Sequence, residues 1–331
     1  MNSAFSFPTT CCQLEYRSFA CGDGSFYSGW CQPTTNIPHG YGVRSSPDSW
    51  KYEGYFNNGQ LTGFGILECL AIYPTHGGIH RYEGGFKDNL YHGWGNAEYF
   101  AGQGDDKPLA YNGGWSTGLP DGRGTAVYPD GTTYDGGWKM GVREGHGTIK
   151  YPDGRIKFEG GWKDGKYHGY GKLCETGRTY EGGWKDNTEG GYGEEVYNGQ
   201  RYEGGLKDGK ATGYGVKDYR DGTRFIGGWN ENKWFGYGSF WELDGVIQRY
   251  KGGWKDNVKE GYGVFTPKDG SEYTGGLKAG EFHGYGHRKG PKTGEVYDGG
   301  WRDSRRQGYG VHTSTEGERY DGGWNDNKKL S

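Results

Sequence analysis

A short glycine-rich phrase recurs along almost the whole chain and constrains the fold more than any other sequence feature. Most copies read aromatic–x–Gly–Gly–large apolar, and from Tyr111 onward they begin 22 to 25 residues apart. Self-similarity of this kind predicts stacked copies of one small supersecondary unit rather than an ordinary globular domain. The copies open at Phe26, Tyr52, Tyr82, Tyr111, Tyr134, Phe158, Tyr180, Tyr202, Phe225, Tyr250, Tyr273, Tyr297 and Tyr320.

A second motif, Gly-x-Gly, follows the opening residue at a fixed distance. It begins eleven residues later in every complete copy except the first, where it is displaced. Within one copy Tyr180, Gly182 and Trp184 alternate with period 2, as residues on one face of a β-strand do. The segment Lys185–Gly190 has the composition of a turn, and Gly191–Gly193 reads as part of a return strand. Each copy therefore predicts one β-hairpin.

The composition explains how such hairpins could form a core. The chain has 71 glycines, only 31% hydrophobic residues and 17% aromatic residues. These values leave too few aliphatic side chains for an ordinary core and too many rings for a disordered chain. A bare Cα lets a ring lie against the backbone, so we expect a ladder of rings seated over glycines of neighbouring strands. One hairpin alone would be unstable in water, whereas stacked hairpins stabilise one another.

Charge and cysteine usage bound the partners and the compartment. The chain has 39 basic and 42 acidic residues, a balance that does not favour binding to nucleic acid. Six cysteines form neither a disulfide framework nor a paired zinc motif, and residues 1–20 lack the pattern of a signal peptide. We expect a reducing, intracellular compartment. Cys11 and Cys12 are acylation candidates, although ordinary thiols are the favoured interpretation.

The repeat resembles a known family. Residues 158–171 read Phe-Glu-Gly-Gly-Trp-Lys-Asp-Gly-Lys-Tyr-His-Gly-Tyr-Gly. This is similar to the MORN (membrane occupation and recognition nexus) repeat, whose pattern is near Tyr-Glu-Gly-Glu-Trp-x-x-Gly-x-x-His-Gly-x-Gly. The resemblance extends from Phe26 onward and implies an all-β fold, an elongated single-layer antiparallel sheet of about twelve stacked hairpins, often dimeric. One departure is systematic: glycine replaces the family's glutamate at the fourth position, with Tyr55 as the one bulky exception.

The repeat defines the predicted domain organisation. Residues 1–25 are expected to be an N-terminal extension and residues 26–331 the repeat array, whose last unit, 320–331, is incomplete. An incomplete unit would leave an open strand edge for docking or for a homodimer, although Lys328 and Lys329 could equally protect that edge. Insertions at 69–80 and 101–109 interrupt the regular pattern. They are either partner-specific loops or tolerated surface insertions.

Catalytic motifs are not convincing in this sequence. Gly160–Lys166 and Gly204–Lys210 resemble phosphate-binding loops, but neither has the Ser or Thr after the lysine or a following helix. Carboxylates recur at the second repeat position and read as a solvated stripe. We expect no enzyme activity, catalytic residue, metal or cofactor. Four histidines share one repeat position, which predicts a recurring structural hydrogen bond: His39, His92, His168 and His283.

The resemblance implies a scaffold that binds other proteins, as MORN-rich proteins of radial spokes and parasite cytoskeletons do. A helix or an extended peptide could lie along an aromatic face of the sheet. We therefore expect a non-enzymatic structural protein of a cytoskeletal or ciliary assembly. The predicted binding face consists of Trp138, Trp162, Trp184, Trp229, Trp254, Trp301, Tyr170, Tyr192 and Tyr214.

The alternative function is a peripheral membrane adaptor that binds anionic phospholipids. Most turn cations lie beside an acidic residue, but the turn that holds Arg302, Arg305 and Arg306 is locally net positive. Cations next to a membrane surface attract anionic lipid, and exposed rings could insert at the interface. The expected location is thus cytoplasmic, at the cytoskeleton or cilium, or peripheral at a membrane.

Overall fold

A computed structural model of the chain describes residues 13–70, 78–101, 107–242, 248–291 and 294–331. These residues form β-strands joined by turns, and no helix occurs among them. The ranges accordingly contain no helix that could cross a bilayer. The chain divides into two compact units, with the boundary between Lys166 and Tyr167. The predicted all-β class and its stacked antiparallel hairpins are confirmed in each unit.

The first unit is an antiparallel sheet in which each strand pairs with the next one along the chain. Its first strand pairs with the second, so the sheet begins inside the segment that we predicted as an N-terminal extension. The strands are β1 (Glu15–Ala20), β2 (Phe26–Cys31), β3 (Pro38–Ser46), β4 (Trp50–Asn57), β5 (Gln60–Cys69), β6 (Ile79–Lys87), β7 (Leu90–Tyr99), β8 (Ala110–Ser116), β9 (Leu119–Val127), β10 (Thr133–Lys139), β11 (Val142–Lys150) and β12 (Ile156–Lys163).

The second unit has the same topology, again with each strand antiparallel to its neighbour in sequence. Its strands are β13 (Lys166–Glu175), β14 (Arg178–Lys185), β15 (Thr188–Tyr197), β16 (Gln200–Lys207), β17 (Lys210–Asp218), β18 (Arg224–Asn230), β19 (Lys233–Glu242), β20 (Gln248–Lys255), β21 (Val258–Thr266), β22 (Glu272–Lys278), β23 (Glu281–Lys289), β24 (Val296–Arg302), β25 (Arg305–Thr313), β26 (Arg319–Asn325) and β27 (Lys328–Lys329).

The hairpin β14–β15 shows how one repeat is built. Asp186 and Asn187 form a two-residue turn with φ values of 50° and 68°, which suits the right-handed twist of the flanking strands. This turn is shorter than the predicted Lys185–Gly190 segment, because β15 already begins at Thr188. The pairing shifts register beside Gly183, where a Cβ would collide with the carbonyl oxygen of Gly190. That close approach explains why glycine stands at the fourth repeat position in this hairpin.

A ladder of buried rings forms the core of each unit. The ring of Tyr180 lies over the paired glycines Gly182 and Gly193, and its hydroxyl donates a 3.0 Å hydrogen bond to the Gly183 carbonyl. Trp184 meets that ring edge to face at 5.2 Å. Such pairs add to the free energy of burial. Most rings at the opening position are completely or almost completely buried, among them Tyr52, Tyr82, Tyr111, Tyr134, Phe158, Phe225, Tyr250, Tyr273 and Tyr297.

Turn asparagines join consecutive repeats. The side-chain oxygen of Asn187 accepts a 2.8 Å hydrogen bond from the backbone N–H of Tyr167. The backbone N–H of Asn187 donates to the Tyr167 carbonyl at 3.1 Å. Asn327 makes the same two bonds with Arg306. Each turn therefore holds the backbone of the preceding hairpin, which makes stacking specific in register.

The first repeat corrects our prediction by one residue. Phe26 and Trp30 were predicted as its core rings, but both are nearly half exposed. Tyr27 and Cys31 are buried in their place, and Gly29 pairs with Gly42 beneath the Tyr27 ring. A strand alternates its faces with every residue, so a shift of one exchanges the whole set of inward and outward side chains.

The buried tyrosines predict a distinctive response to alkaline pH. Burial raises the pKa of Tyr180 to about 12 from its usual value of 10.0. Because the pKa is raised in the folded state, the protonated Tyr180 hydroxyl contributes fully to stability below pH 10. That contribution is lost as the pH rises through about 12. At pH 8 we expect Tyr180→Phe to be less stable than wild type by about 1 kcal/mol, because the hydroxyl bond is lost.

That difference in the free energy of unfolding should shrink between pH 8 and pH 11, because only the wild-type chain carries an ionisable hydroxyl at position 180. Guanidinium denaturation of both proteins at the two pH values measures it. Phe158 and Phe225 occupy the same repeat position naturally, so the variant should fold. An equal difference at both pH values would contradict the prediction.

Candidate functional site

The nine rings of the predicted binding face lie on opposite faces of the sheet. Tyr170 pairs with Gly183, whereas the neighbouring Gly171 pairs with Gly182 over the buried core, and adjacent strand residues point in opposite directions. Tyr170 is 64% exposed, while Trp184 is 7% exposed. The prediction of one continuous aromatic face is therefore wrong. The predicted tryptophans are all buried in the core: Trp138, Trp162, Trp184, Trp229, Trp254 and Trp301.

The tryptophans are held by hydrogen bonds as well as by ring contacts. The Nε1 of Trp229 donates to the carbonyl of Gly215, a glycine of the preceding repeat, at 3.2 Å. The equivalent bond from Trp138 reaches Gly124 at 3.1 Å. A buried indole needs such a partner, because an unpaired N–H would oppose burial. These side chains connect repeats, which is a structural role.

The predicted tyrosines form an exposed row on the other face. Tyr170, Tyr192 and Tyr214 are about two-thirds exposed. The Tyr192 hydroxyl donates a 2.8 Å hydrogen bond to Glu203, and that bond lowers the pKa of the carboxyl group. Tyr170 donates likewise to Glu181, at 3.0 Å. Glu181 and Glu203, two members of the carboxylate stripe predicted from the sequence, thus form hydrogen-bonded pairs with tyrosines of this row.

An apolar groove of about 960 Å³ lies in the first unit, on the face of the buried rings. Phe86, Trp115 and Trp138 line it together with Leu61 and Leu67. Its volume is in the range of pockets that hold ligands or peptide side chains. Three half-exposed aliphatic residues, each the first residue of a return strand, complete the lining: Leu90, Leu119 and Val142.

The sequence contained a signal for this groove that we did not use. Eight residues after the opening aromatic, three consecutive repeats carry Leu90, Leu119 and Val142. The next repeats have Lys166, Thr188, Lys210 and Lys233 at that position. Aliphatic residues at this exposed repeat position distinguish these three repeats from the four that follow them.

The inserted loops can be placed in part. Ile79, Lys107 and Pro108 belong to the insertions at 69–80 and 101–109, and all three line the groove. Residues 71–77 and 102–106 lie outside the described residues, as do Cys11 and Cys12. The C-terminal ends of both insertions therefore border the groove.

The arginines proposed for lipid binding are mostly engaged within the protein. Arg306 pairs with Glu295 at 2.6 Å and covers the rings of Tyr297 and Trp324. Arg305 lies 3.5 Å from Asp326. Arg302 is exposed, and no carboxylate pairs with it among the described residues. The turn offers a membrane one unpaired cation rather than three.

In the histidine row, His168 and His283 do not form the predicted hydrogen bond through Nδ1. The Nδ1 atoms of His168 and His283 are buried and have no hydrogen-bond partner among the described residues. They lie 3.6 Å from Asp186 and 3.8 Å from Asp303, respectively. In the same described ranges, no group of three His, Cys, Asp or Glu side chains is arranged to hold a metal ion.

The last strand is short. Lys328 and Lys329 pair with Asn325 and Trp324, and the Lys329 ammonium lies 5.0 Å from the centre of the Tyr320 ring. The lysines cover this strand edge with charge, in the manner that protects edges from pairing. Docking or dimerisation here stays a prediction.

Comparison with known proteins adds one firm result. The family model described as the MORN repeat matches eleven segments of the chain, which together exceed half of its length. The hairpin β18–β19, which opens at Phe225, falls outside them although it has the same pairing and buried rings. The matched residues are 36–51, 52–69, 82–95, 111–133, 134–154, 158–177, 180–200, 202–224, 250–272, 273–294 and 297–319.

No curated protein matches the sequence. Among solved structures, the chain matches the wild-type TCP10 domain of Danio rerio CPAP, which was solved in complex with a peptide of Danio rerio STIL. The two are 14% identical, and the match covers 85% of this chain and 97% of that one. The TM-score is 0.19, too low for the likeness to say anything about function.

Proposed function

Because the chain belongs to the MORN repeat family, we propose that it is a non-enzymatic scaffold that binds a segment of a partner protein in the apolar groove of its first unit. The repeats of this family bind proteins or membranes, and here they form the β-sheet that holds the groove. The scaffold acts in a cytoskeletal or ciliary assembly in the cytoplasm, as the family resemblance implies. A helix or an extended peptide of the partner occupies the groove.

The groove is the observation that supports this proposal. Leu90, Leu119 and Val142 leave 46%, 42% and 43% of their surface exposed beside buried rings. Apolar side chains held in a row at a concave surface are typical of protein-binding sites. On the opposite face, Tyr170 and Tyr192 are instead hydrogen-bonded to Glu181 and Glu203, so that row is more polar than the lining of the groove.

The test compares two double variants of a tagged full-length chain expressed in ciliated cells. Leu90→Asp with Leu119→Asp places two charges in the groove. Phe64→Asp with Trp94→Asp changes two exposed rings of the same unit that lie outside it. After detergent and high-salt extraction, the proteins retained with each chain are identified, and circular dichroism checks that both variants fold.

We expect wild type and the ring variant to remain in the cytoskeletal pellet with the same neighbours, and the groove variant to lose them. Equal retention of all three chains would refute the groove as the binding site. Release of the wild type with lipid, reversed by raised salt, would favour the membrane adaptor instead. A homodimer stays a prediction, which light scattering over a range of concentrations tests.

A further inference from the structure

One cation in the groove has an unusual environment. The Arg143 guanidinium lies 4.4 Å from the centre of the Trp162 ring and 5.7 Å from that of Tyr134. Its Nη2 donates one long hydrogen bond, 3.5 Å, to the Gly165 carbonyl. No carboxylate oxygen of the described residues pairs with it. A half-buried cation whose donors are largely unused is costly unless an anion approaches it.

The repeat provides an internal comparison, because Arg306 occupies the same position nine residues after its opening aromatic. Its guanidinium lies 4.9 Å from the Tyr297 ring and 5.0 Å from the Trp324 ring, which repeats the bed of rings under Arg143. There the cation is satisfied: Glu295 accepts its hydrogen bond at 2.6 Å and is also 3.0 Å from His312. This site shows that a carboxylate fits against an arginine held on these two rings.

A third repeat uses the same two positions with the charges exchanged. Arg178 stands where Glu295 stands, two residues before the opening aromatic, and Glu189 stands where Arg306 stands. They form a two-pronged ion pair, with Nη2 of Arg178 at 2.6 and 2.7 Å from the Glu189 oxygens. The two positions are therefore close enough to pair in either polarity. A charge at one of them calls for its opposite at the other.

In the repeat of Arg143 the second member of the pair is missing. Thr132 stands at the position of Glu295, and its hydroxyl donates to Asp130 instead. Lys259 is the comparable cation of the second unit, also over rings, and burial lowers its pKa to about 8. A lysine can relieve such burial by releasing its proton, whereas an arginine remains charged. Arg143 thus needs an anion from elsewhere.

The groove around Arg143 favours the same kind of ligand. Three cations line it, namely Arg44, Lys107 and Arg143, and none of the described lining residues is acidic. Arg44 is already paired with Asp23 at 2.8 Å. The remaining charge complements an acidic partner, and the aliphatic lining complements an apolar one. A peptide segment that carries an acidic residue next to apolar residues would complement both the cations and the aliphatic lining of the groove.

We propose that Arg143 is the seat for an Asp or Glu side chain of the partner segment, whose neighbouring apolar side chains fill the groove beside Leu119 and Val142. This inference rests on the proposed function and specifies the chemistry of its partner. The incoming carboxylate takes the place against Arg143 that Glu295 takes against Arg306. Specificity then follows from the pair, because a segment without the acid leaves the cation unpaired.

The test begins with a displayed library of random dodecapeptides selected against the full-length chain. The tightest binders are synthesised, together with analogues in which each Asp or Glu becomes Asn or Gln. Binding is measured calorimetrically to wild type, Arg143→Met and Thr132→Glu. The methionine keeps the apolar stem over the rings and removes the charge. The glutamate keeps the arginine and supplies a carboxylate from within, as Glu295 does for Arg306.

We expect peptides that combine an acid with apolar residues, and a roughly tenfold to hundredfold weaker affinity for both variants. The amide analogue should lose the same factor on wild type and little more on Arg143→Met, because the two changes remove one interaction. Arg123→Met, which removes an exposed arginine outside the groove, is the matched control and should bind like wild type.

Two failures are distinguishable. If the selected peptides lose binding to the Leu90→Asp, Leu119→Asp chain but bind Arg143→Met and Thr132→Glu as tightly as wild type, the carboxylate seat is wrong and the groove stands. If no selected peptide depends on the groove, the proposed function fails and the seat fails with it. Peptides without an acid that bind through the groove also overturn the seat.

Discussion

Alanine at Gly182 should destabilise the second unit by about 2–4 kcal/mol, a large effect for a single added methyl group. Its Cβ would lie 2.5 Å from the Tyr180 hydroxyl oxygen and 2.6 Å from the Cα of Gly193. The second contact is with backbone, so rotating a side chain cannot relieve it. Overpacking of this kind costs roughly 1–3 kcal/mol, and displacing Tyr180 also breaks its bond to Gly183 at about 1 kcal/mol.

The matched control is Gly190→Ala in the same hairpin. There a Cβ would approach nothing closer than the Leu206 carbonyl oxygen at 3.9 Å, and the φ of Gly190 is not positive. Alanine should be neutral or stabilising by roughly 0.5–1 kcal/mol, because it restricts the unfolded chain. Guanidinium denaturation and amide hydrogen exchange across β14 and β15 measure both. Similar stability of the two variants would show that the ring does not lie on the glycine pair.

Replacing Trp229 with alanine should cost roughly 3–5 kcal/mol of stability, as for other buried aromatic residues. The ring is 5% exposed, meets Tyr202 at 5.3 Å and Phe225 at 5.2 Å, and donates to the Gly215 carbonyl. Its loss would leave a cavity between two repeats and remove the hydrogen bond from the indole to the Gly215 carbonyl. The midpoint of guanidinium denaturation gives the change.

Tyr214→Ala is the control for this prediction. Tyr214 lies on the adjacent strand, opposite Gly228, and is 68% exposed on the other face. Its removal should change the free energy of unfolding by no more than roughly 0.5 kcal/mol. A large effect at Tyr214, or a small one at Trp229, would contradict the assignment of faces. For the same reason, alanine at Trp162 and Trp184 would report on folding rather than on partner binding.

Much of the architecture could be predicted from the sequence, because each repeat encodes its own hairpin. Period-2 alternation from Tyr180 to Trp184 identified the strand, and the fixed spacing of Gly-x-Gly identified its return. The position of the ring over the glycines also followed, since only a bare Cα admits a ring so close to the backbone. These are local requirements that recur from copy to copy, so the pattern cannot be due to chance.

The faces of the rings could not be assigned without the turn. We allowed a turn of six residues, which leaves the direction of Tyr192 undetermined. The structure has a two-residue turn, so that Trp184 pairs with Glu189 and Tyr192 comes three residues later, on the opposite face. Turn length therefore determined which aromatic row is buried and which is exposed.

The groove could not be predicted from the sequence, for a different reason. Burial of Trp229 and the depth of the groove depend on how neighbouring hairpins twist against one another, a property of the stacked sheet rather than of one repeat. Likewise, Arg143 and Arg306 occupy equivalent positions in sequence, but only the packing shows that Glu295 reaches one of them and that Thr132 leaves the other unpaired. A repeat specifies its own strands and glycines, whereas a binding site arises where side chains of several repeats meet.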